Sequence, residues 1–335
     1  MPFLHPNCLS ALPLAIVIAS LALILPILLI TELSASTTRS EDYSGQEHVV
    51  LRRPPVQPGI GISLNYDYVA AGIYFENGTS VPVAHIDGDA VYRSFMRTTR
   101  TGHGCAPMNS TSQVYTTVDE SESLARMLRQ LKASIASRLD EPFRFVVASR
   151  PDHKCHTASD SFGQWHAHQT EVLDSALSKV GLYLAQDRMI HAGFASVIAN
   201  HMIGGNVEKD GFVISIDRGH YGWRYSLLYL DEGLGDLGFD TSFVHDTGEP
   251  SPQRDAARDA LREFLEIAEG FDDEFALDEV IELVVSGDLA SDADFQDDLV
   301  SVLGSELVTK ARVRDPIHAS AIGAAGMCFS SLLSQ

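Results

Sequence analysis

His153, Cys155, His156, His166 and His168 bring four imidazoles and one thiol into a single short segment. Imidazole nitrogen and thiolate are the ordinary ligands of zinc, so two pairs near one loop could supply four ligands. The spacing follows no recognised zinc pattern, and the segment falls between a strand-like and a helix-like run, where polar residues are commonplace. Serine-based hydrolysis has less to stand on, because no G-x-S-x-G elbow is present. The remaining chemistry-bearing groups lie in turns that follow apolar runs. Asn65-Tyr66-Asp67 follows Gly59–Leu64, and Asp217–Gly222 follows Phe212–Ile216.

The elements that must position these groups can be read from hydrophobic period. Gly59–Gly78 predicts strand, turn, strand, turn: Ile60, Ile62 and Leu64 alternate with small or polar residues, Val69–Phe75 runs apolar again, and Glu76-Asn77-Gly78 closes a hairpin. Val81–Phe95 continues in extended pieces, and Thr98–Ser112 reads as a loop. Within Glu120–Leu139, Leu124, Met127, Leu128, Leu131, Ile135 and Leu139 share one helical face, with Ser121 or Ser123 placed to cap its start. Phe143–Ala148 reads as a buried strand. Gln169–Leu184 and Met189–Met202 read as helices, the second ended by Gly204-Gly205-Asn206. The pattern then restarts: strand Phe212–Ile216, turn Asp217–Gly222, strand Trp223–Leu230. A helix over Ala256–Ala268, a strand over Val280–Ser286, a helix over Asp292–Leu303 and a closing helix over Pro316–Leu333 complete it. Two strand–turn–strand units, each opening one half, are what a duplicated α/β fold predicts.

Charge is distributed unevenly. Of a net −21, about −20 falls between Asp231 and Glu306, where 23 acidic residues face only Arg254, Arg258 and Arg262. Such a field repels phosphate backbones, so nucleic acid is not an expected partner. The segment reads first as a solvated acidic face. At the other end, Ala11–Ile30 is an uncharged apolar run about 20 residues long, enough to cross roughly 30 Å of hydrocarbon as a helix. Residues 1–33 are therefore expected to act as a membrane anchor, or as a signal peptide cut near Ser34-Ala35-Ser36. Residues 34–58, polar and then rich in proline, read as a tether. The expected location is a membrane, with one span, or the secretory pathway. Two sequons, Asn77-Gly78-Thr79 and Asn109-Ser110-Thr111, suit a lumenal domain. Cys8 precedes the apolar run and Cys105, Cys155 and Cys328 follow it, so no disulfide framework is implied.

The order of elements over Gly59–Leu333 resembles the nucleotide-binding domain of the heat-shock-seventy chaperones, members of the actin-like ATPase superfamily. Glu120–Ala148 looks like that family's long helix and the strand it feeds, and His166–Met202 like its next two helices. Ile214–Leu228 (ISIDRGHYGWRYSLL) is similar to the second phosphate loop, Leu283–Phe295 (LVVSGDLASDADF) to the adenosine motif, and Asp315–Gly326 (DPIHASAIGAAG) to the opening of the closing helix. The resemblance implies a bilobal α/β fold of ribonuclease H-like halves, lobe I over 59–205 and lobe II over 206–335. It also implies a nucleotide cleft lined by Asn65, Tyr66, Asp67, Asp217, Gly219, His220, Gly287, Asp288 and Gly323, with ATP or ADP and magnesium as the ligand.

The family's chemistry is altered at those positions. Nucleotide phosphoryl transfer needs a cation held by carboxylates, close backbone amides on the phosphates and a positioned water. The family's first-loop aspartate falls at Ser63, its glycine at Asn65 and its threonines at Tyr66 and Asp67. Its second-loop glycines fall partly at His220 and Tyr221, and only glycine lets backbone approach phosphate closely. The connecting-helix glutamate falls at Ala192, the adenosine-motif serine at Asp288 and its arginine at Ala290. No counterpart of the catalytic lysine is found, and the Gly233–Leu283 interval is short for the family. The expectation is a degenerate ATPase-fold protein that binds a protein partner at a membrane and has weak or absent turnover. The alternative is a chaperone-like ATPase in which Asp67 supplies the metal-side carboxylate.

Overall fold

The computed structural model describes residues 56–334 apart from 98–115, 140, 152–160, 187–188, 205–210, 221, 232–233, 245–250, 272–274 and 313–314. The apolar run Ala11–Ile30, the tether as far as residue 55, Asn109, and Cys8, Cys105 and Cys155 lie outside the described residues, as do His153 and His156. Among the described residues no helix is long and apolar enough to cross a membrane.

The fold is mixed α/β. Strands β1 (Gly59–Leu64), β2 (Tyr68–Tyr74) and β3 (Ser80–Asp87) form an antiparallel meander, followed by helices α1 (Ala90–Arg97) and α2 (Thr117–Ala136) and strand β4 (Phe145–Arg150). Helix α3 (Ser161–Val180) and the two-residue strands β5 (Tyr183–Leu184) and β6 (Ile190–His191) follow, then helix α4 (Ala192–Gly204). β4 lies parallel to β1, and β5 and β6 both pair with the far side of β4, as two pieces of one strand position.

The chain then repeats this order. β7 (Gly211–Gly219), β8 (Gly222–Asp231) and β9 (Leu234–Val244) form a second antiparallel meander, and helix α5 (Ser251–Phe271) leads to β10 (Val280–Ser286), parallel to β7. Helices α6 (Ala293–Leu303), α7 (Ser305–Thr309) and α8 (Ala319–Leu333) close the chain. The strand order is β3-β2-β1-β4-β5 in the first sheet and β9-β8-β7-β10 in the second. Beyond β10 the fifth position is a single bridge: Val285 N donates to Arg312 O (3.1 Å) and Arg312 N to Leu283 O (2.8 Å).

Each sheet buries one face under its own helices. Ile60, Ile62 and Ile73 meet Leu124, Leu128, Leu131 and Ile135 of α2 and Val172 and Leu173 of α3 in the first core. Ile214, Ile216 and Tyr225 meet Leu261 and Phe264 of α5 and Phe295 and Leu299 of α6 in the second. Burying such side chains contributes about 1.5–3 kcal/mol each. The opposite faces meet α4 and α8. Ala195 of α4 and Ala324 of α8 pack on Val147 of the first sheet, while Val197 of α4 packs on Val213 and Leu228 of the second.

This arrangement needs glycine at close approaches. A Cβ on Gly61 would stand 1.9 Å from Ala321 O, and one on Gly323 would stand 1.8 Å from Ala195 O, so β1, α8 and α4 touch backbone to backbone.

Several boundaries differ from the sequence expectation. α2 is capped by Thr116, not by Ser121 or Ser123: Thr116 Oγ1 accepts from Asp119 N and donates to Asp119 Oδ2, a capping box. Ser123 is buried instead and donates to Asp89 Oδ1 (2.6 Å). α3 stops at Val180 rather than Leu184, because Gly181 takes a left-handed φ of 66° and Tyr183 joins β4. Val81–Phe95 is not extended throughout, since its second half lies in α1. The turn expected over Asp217–Gly222 is shorter, since Gly219 and Gly222 pair as part of the ladder. β9 lies in an interval where no strand was expected.

Candidate functional site

The β1–β2 turn, the β7–β8 hairpin and the loop after β10 lie near enough for their charges to interact. Their carboxylates feel one another. Burial pushes Asp288 above the ordinary carboxylate value, His220 opposes this, and Asp217 and Asp67 push it further up. Burial, reinforced by Asp217 and Asp288, raises the Tyr68 hydroxyl well above its usual value.

The first turn is built by neutral groups. Asn65 Oδ1 accepts from Tyr66 N (2.7 Å), Asn65 Nδ2 donates to the Tyr68 hydroxyl (2.9 Å), and Asn65 N donates to Tyr68 O (2.9 Å). The hydroxyl of Tyr92, fully buried on α1, donates to Asn65 O (2.6 Å) and Tyr68 O (3.1 Å). The Tyr66 ring is buried in the first core. Asp67 has its Oδ1 3.8 Å from Arg93 Nε and its carbonyl accepting from Gly88 N (2.7 Å).

The second hairpin is built around charge. The pairing of Gly219 with Gly222 sets the register, and that register places Asp217 opposite Arg224. Arg224 NH2 lies 3.4 Å from Asp217 Oδ2, and both side chains are nearly inaccessible, at 3% and 11% exposure. Burial raises the Asp217 pKa and Arg224 opposes the rise. At the hairpin tip His220 is exposed, with Nε2 3.3 Å from Asp288 Oδ2. Arg218 lies over the Trp223 ring, 4.9 Å from its centroid.

The loop after β10 docks on this hairpin. Gly287 has φ 99°, and a Cβ there would fall 2.2 Å from Arg218 O and 2.6 Å from Asp217 Oδ1. Gly287 N donates to Pro316 O (2.9 Å) and Leu289 N to Arg218 O (3.0 Å). Asp315, preceding that proline, is the described non-glycine residue with positive φ, at 38°, and its carboxylate meets His318 Nδ1 at 2.8 Å. Gly287 takes its positive φ without strain, whereas Asp315, next to Pro316, holds a strained backbone.

Behind the turns lies a serine seam. Ser196 of α4 and Ser320 of α8 both donate to Ala192 O, at 2.9 and 3.0 Å, and their hydroxyls lie 2.8 Å apart. Ser63, Ser149, Ser215, Ser226 and Ser286 are buried on the facing strands.

The structure thus brings together Asn65, Asp67, Asp217, Gly219, His220, Gly287 and Asp288. Tyr66 is turned away, and Gly323 belongs to the α4–α8 contact. Sequence reasoning missed Arg224, Tyr68 and Tyr92. Arg224 had a usable signal: taking Gly219 and Gly222 as the closing pair of the hairpin places it opposite Asp217. His168, from the proposed zinc segment, instead lies 2.8 Å from Glu120 Oε2. Among the described residues no group of three metal-ligating side chains converges. A separate pocket of about 500 Å3 opens between Lys132, Phe143, Arg144 and Tyr183. There Lys132 Nζ donates to Val180 O (2.6 Å), serving the end of α3.

Neither family models nor curated proteins give a significant match to this chain.

Proposed function

We propose that the chain is an actin-like ATPase-fold protein of heat-shock-seventy type that has given up nucleotide turnover and works by binding a protein partner, held at a membrane by Ala11–Ile30. The repeated strand order supports the fold: three antiparallel strands and a parallel fourth occur in both sheets, with the fifth present in the first and reduced to the Arg312 bridge in the second.

The observation that carries the loss of turnover is the buried Asp217–Arg224 pair. Asp217, which the resemblance puts in the second phosphate loop, already has a guanidinium as its counter-ion. Freeing it for magnesium would break a buried pair, a cost of about 3–5 kcal/mol. Three further features point the same way. Ser63 offers no charge, Ala192 no base, and the Gly287 loop lies against the Arg218 carbonyl instead of standing clear for a ligand. Asp67 and Asp288 also add negative charge that repels phosphates, by a few kcal/mol at an effective dielectric constant near 20. The residues present do not fit a magnesium nucleotide.

Calorimetric titration of MgATP and MgADP into the purified chain, with phosphate release measured in parallel, tests the reading. No saturable heat at millimolar nucleotide and no magnesium-dependent phosphate release are expected. Micromolar binding that disappears in Asp67→Asn or Asp288→Asn, accompanied by turnover, would overturn it.

A further inference from the structure

We propose that Asn77 is an N-glycosylation site, its carboxamide accepting an oligosaccharide from a lipid diphosphate donor. Asn77-Gly78-Thr79 forms the tip of the β2–β3 hairpin, and all three residues are exposed. Two backbone bonds, Gly78 N to Phe75 O and Phe75 N to Thr79 O, both 2.9 Å, hold the tip as a defined turn, with Gly78 at φ 80°. Within it Asn77 Oδ1 accepts from the Thr79 hydroxyl (2.6 Å) and from Thr79 N (3.0 Å). Both bonds fall on the carbonyl oxygen. Among the described residues none accepts from Nδ2, so the nitrogen that must react faces outward. Asn-x-Thr with a residue other than proline between is the acceptor pattern, and here it stands on an exposed surface turn.

The transfer balances simply. Asn77 Nδ2 forms a bond to the anomeric carbon of the oligosaccharide, and the carbon–oxygen bond to the diphosphate breaks. The diphosphate leaves with the electron pair, and Nδ2 gives up one proton.

The position suits a glycan in two further ways. Seven residues of β2 separate this tip from the Asn65–Asp67 turn, about 20 Å at the rise of a strand. A glycan there leaves the inter-sheet site open. β3 stands at the end of the first sheet's strand order among the described residues, and a sugar at its start shields an edge that could otherwise pair with other chains.

The proposal rests on the reading that the apolar run Ala11–Ile30 delivers the folded region into the secretory lumen, so the experiment carries its own reporter. The full chain, with Asn109→Gln and an unrelated sequon appended after Gln335, is expressed in a eukaryotic secretory host. Tryptic peptides are examined by mass spectrometry before and after enzymatic glycan release. Release should convert Asn77 to aspartate, and one glycan step in gel mobility should vanish in Asn77→Gln and Thr79→Ala while surviving in Thr79→Ser. An occupied reporter with bare Asn77 overturns the site and leaves delivery intact. If neither is occupied, the lumenal reading and the site fall together.

Discussion

The β1–β2 and β7–β8 hairpins occupy equivalent places in their two sheets, yet they are closed by different chemistry. In the first, a buried tyrosine hydroxyl on a neighbouring helix gathers two backbone carbonyls, and no charge is needed. In the second, an aspartate and an arginine face each other across the ladder and are buried together. One topology accommodates both because the meander fixes only backbone hydrogen bonds. What lies on the inner side of each turn remains free to change. The first hairpin ties its turn to its own sheet's helix. The second closes on a buried ion pair within its own ladder.

The sharpest way to break this comparison is to remove one charge. Arg224→Met should cost about 3–5 kcal/mol in urea unfolding, because it leaves Asp217 buried and unpaired. The double variant Asp217→Asn with Arg224→Met should recover most of that loss. If the single variant is near neutral, the pair is not what closes the second hairpin.

Tyr92→Phe probes the neutral counterpart. Removing a hydroxyl that serves two carbonyls should cost about 1–1.5 kcal/mol, with no pH dependence between pH 5 and 8. A loss as large as that of Arg224→Met would erase the distinction between the hairpins.

Asp288→Asn gives the smallest effect, visible chiefly as a slope. Burial and the neighbouring acids raise the Asp288 pKa above its ordinary 3.8 in the folded chain. The native state therefore holds this proton to higher pH than the unfolded state does. The associated stability is full below the ordinary value and is lost as pH rises through the folded one. Asparagine cannot titrate, so the variant should gain on the wild-type chain as pH rises from 4 to 7. Parallel curves would show that Asp288 is not desolvated.

How much of this could be read beforehand depended on whether the signal was local. The β1–β2 hairpin and β10 were legible because their apolar residues are flanked by clear turn chemistry. So was α6, where Asp292 caps the helix by accepting from Phe295 N (3.0 Å). α1 was missed because its eight residues, AVYRSFMR, are too short for periodicity to outweigh valine, tyrosine and phenylalanine, which favour strands. β9 was missed because glycine and aspartate interrupt LGDLGFDTSFV, and its place is set by pairing along β8. The chemistry of the site was partly legible. The acids and glycines stood out by type, whereas the pairing of Asp217 depended on hairpin register, and the inward turn of Tyr66 depended on a core assembled from distant helices.

The backbone contact of Gly59 and Gly61 with Ala321 and Ala325 has a consequence for how the protein is made. β1 finds its cover in α8, far along the chain, so that face of the first sheet stays open until α8 has been made. Contacts this distant in sequence slow folding, because a long loop must close before they form. During that interval Tyr68, Ala70 and Val147, on the face that α8 covers, lack their Ala321 and Ala324 partners. The nascent chain is then at its most exposed to aggregation, and to the chaperones that prevent it.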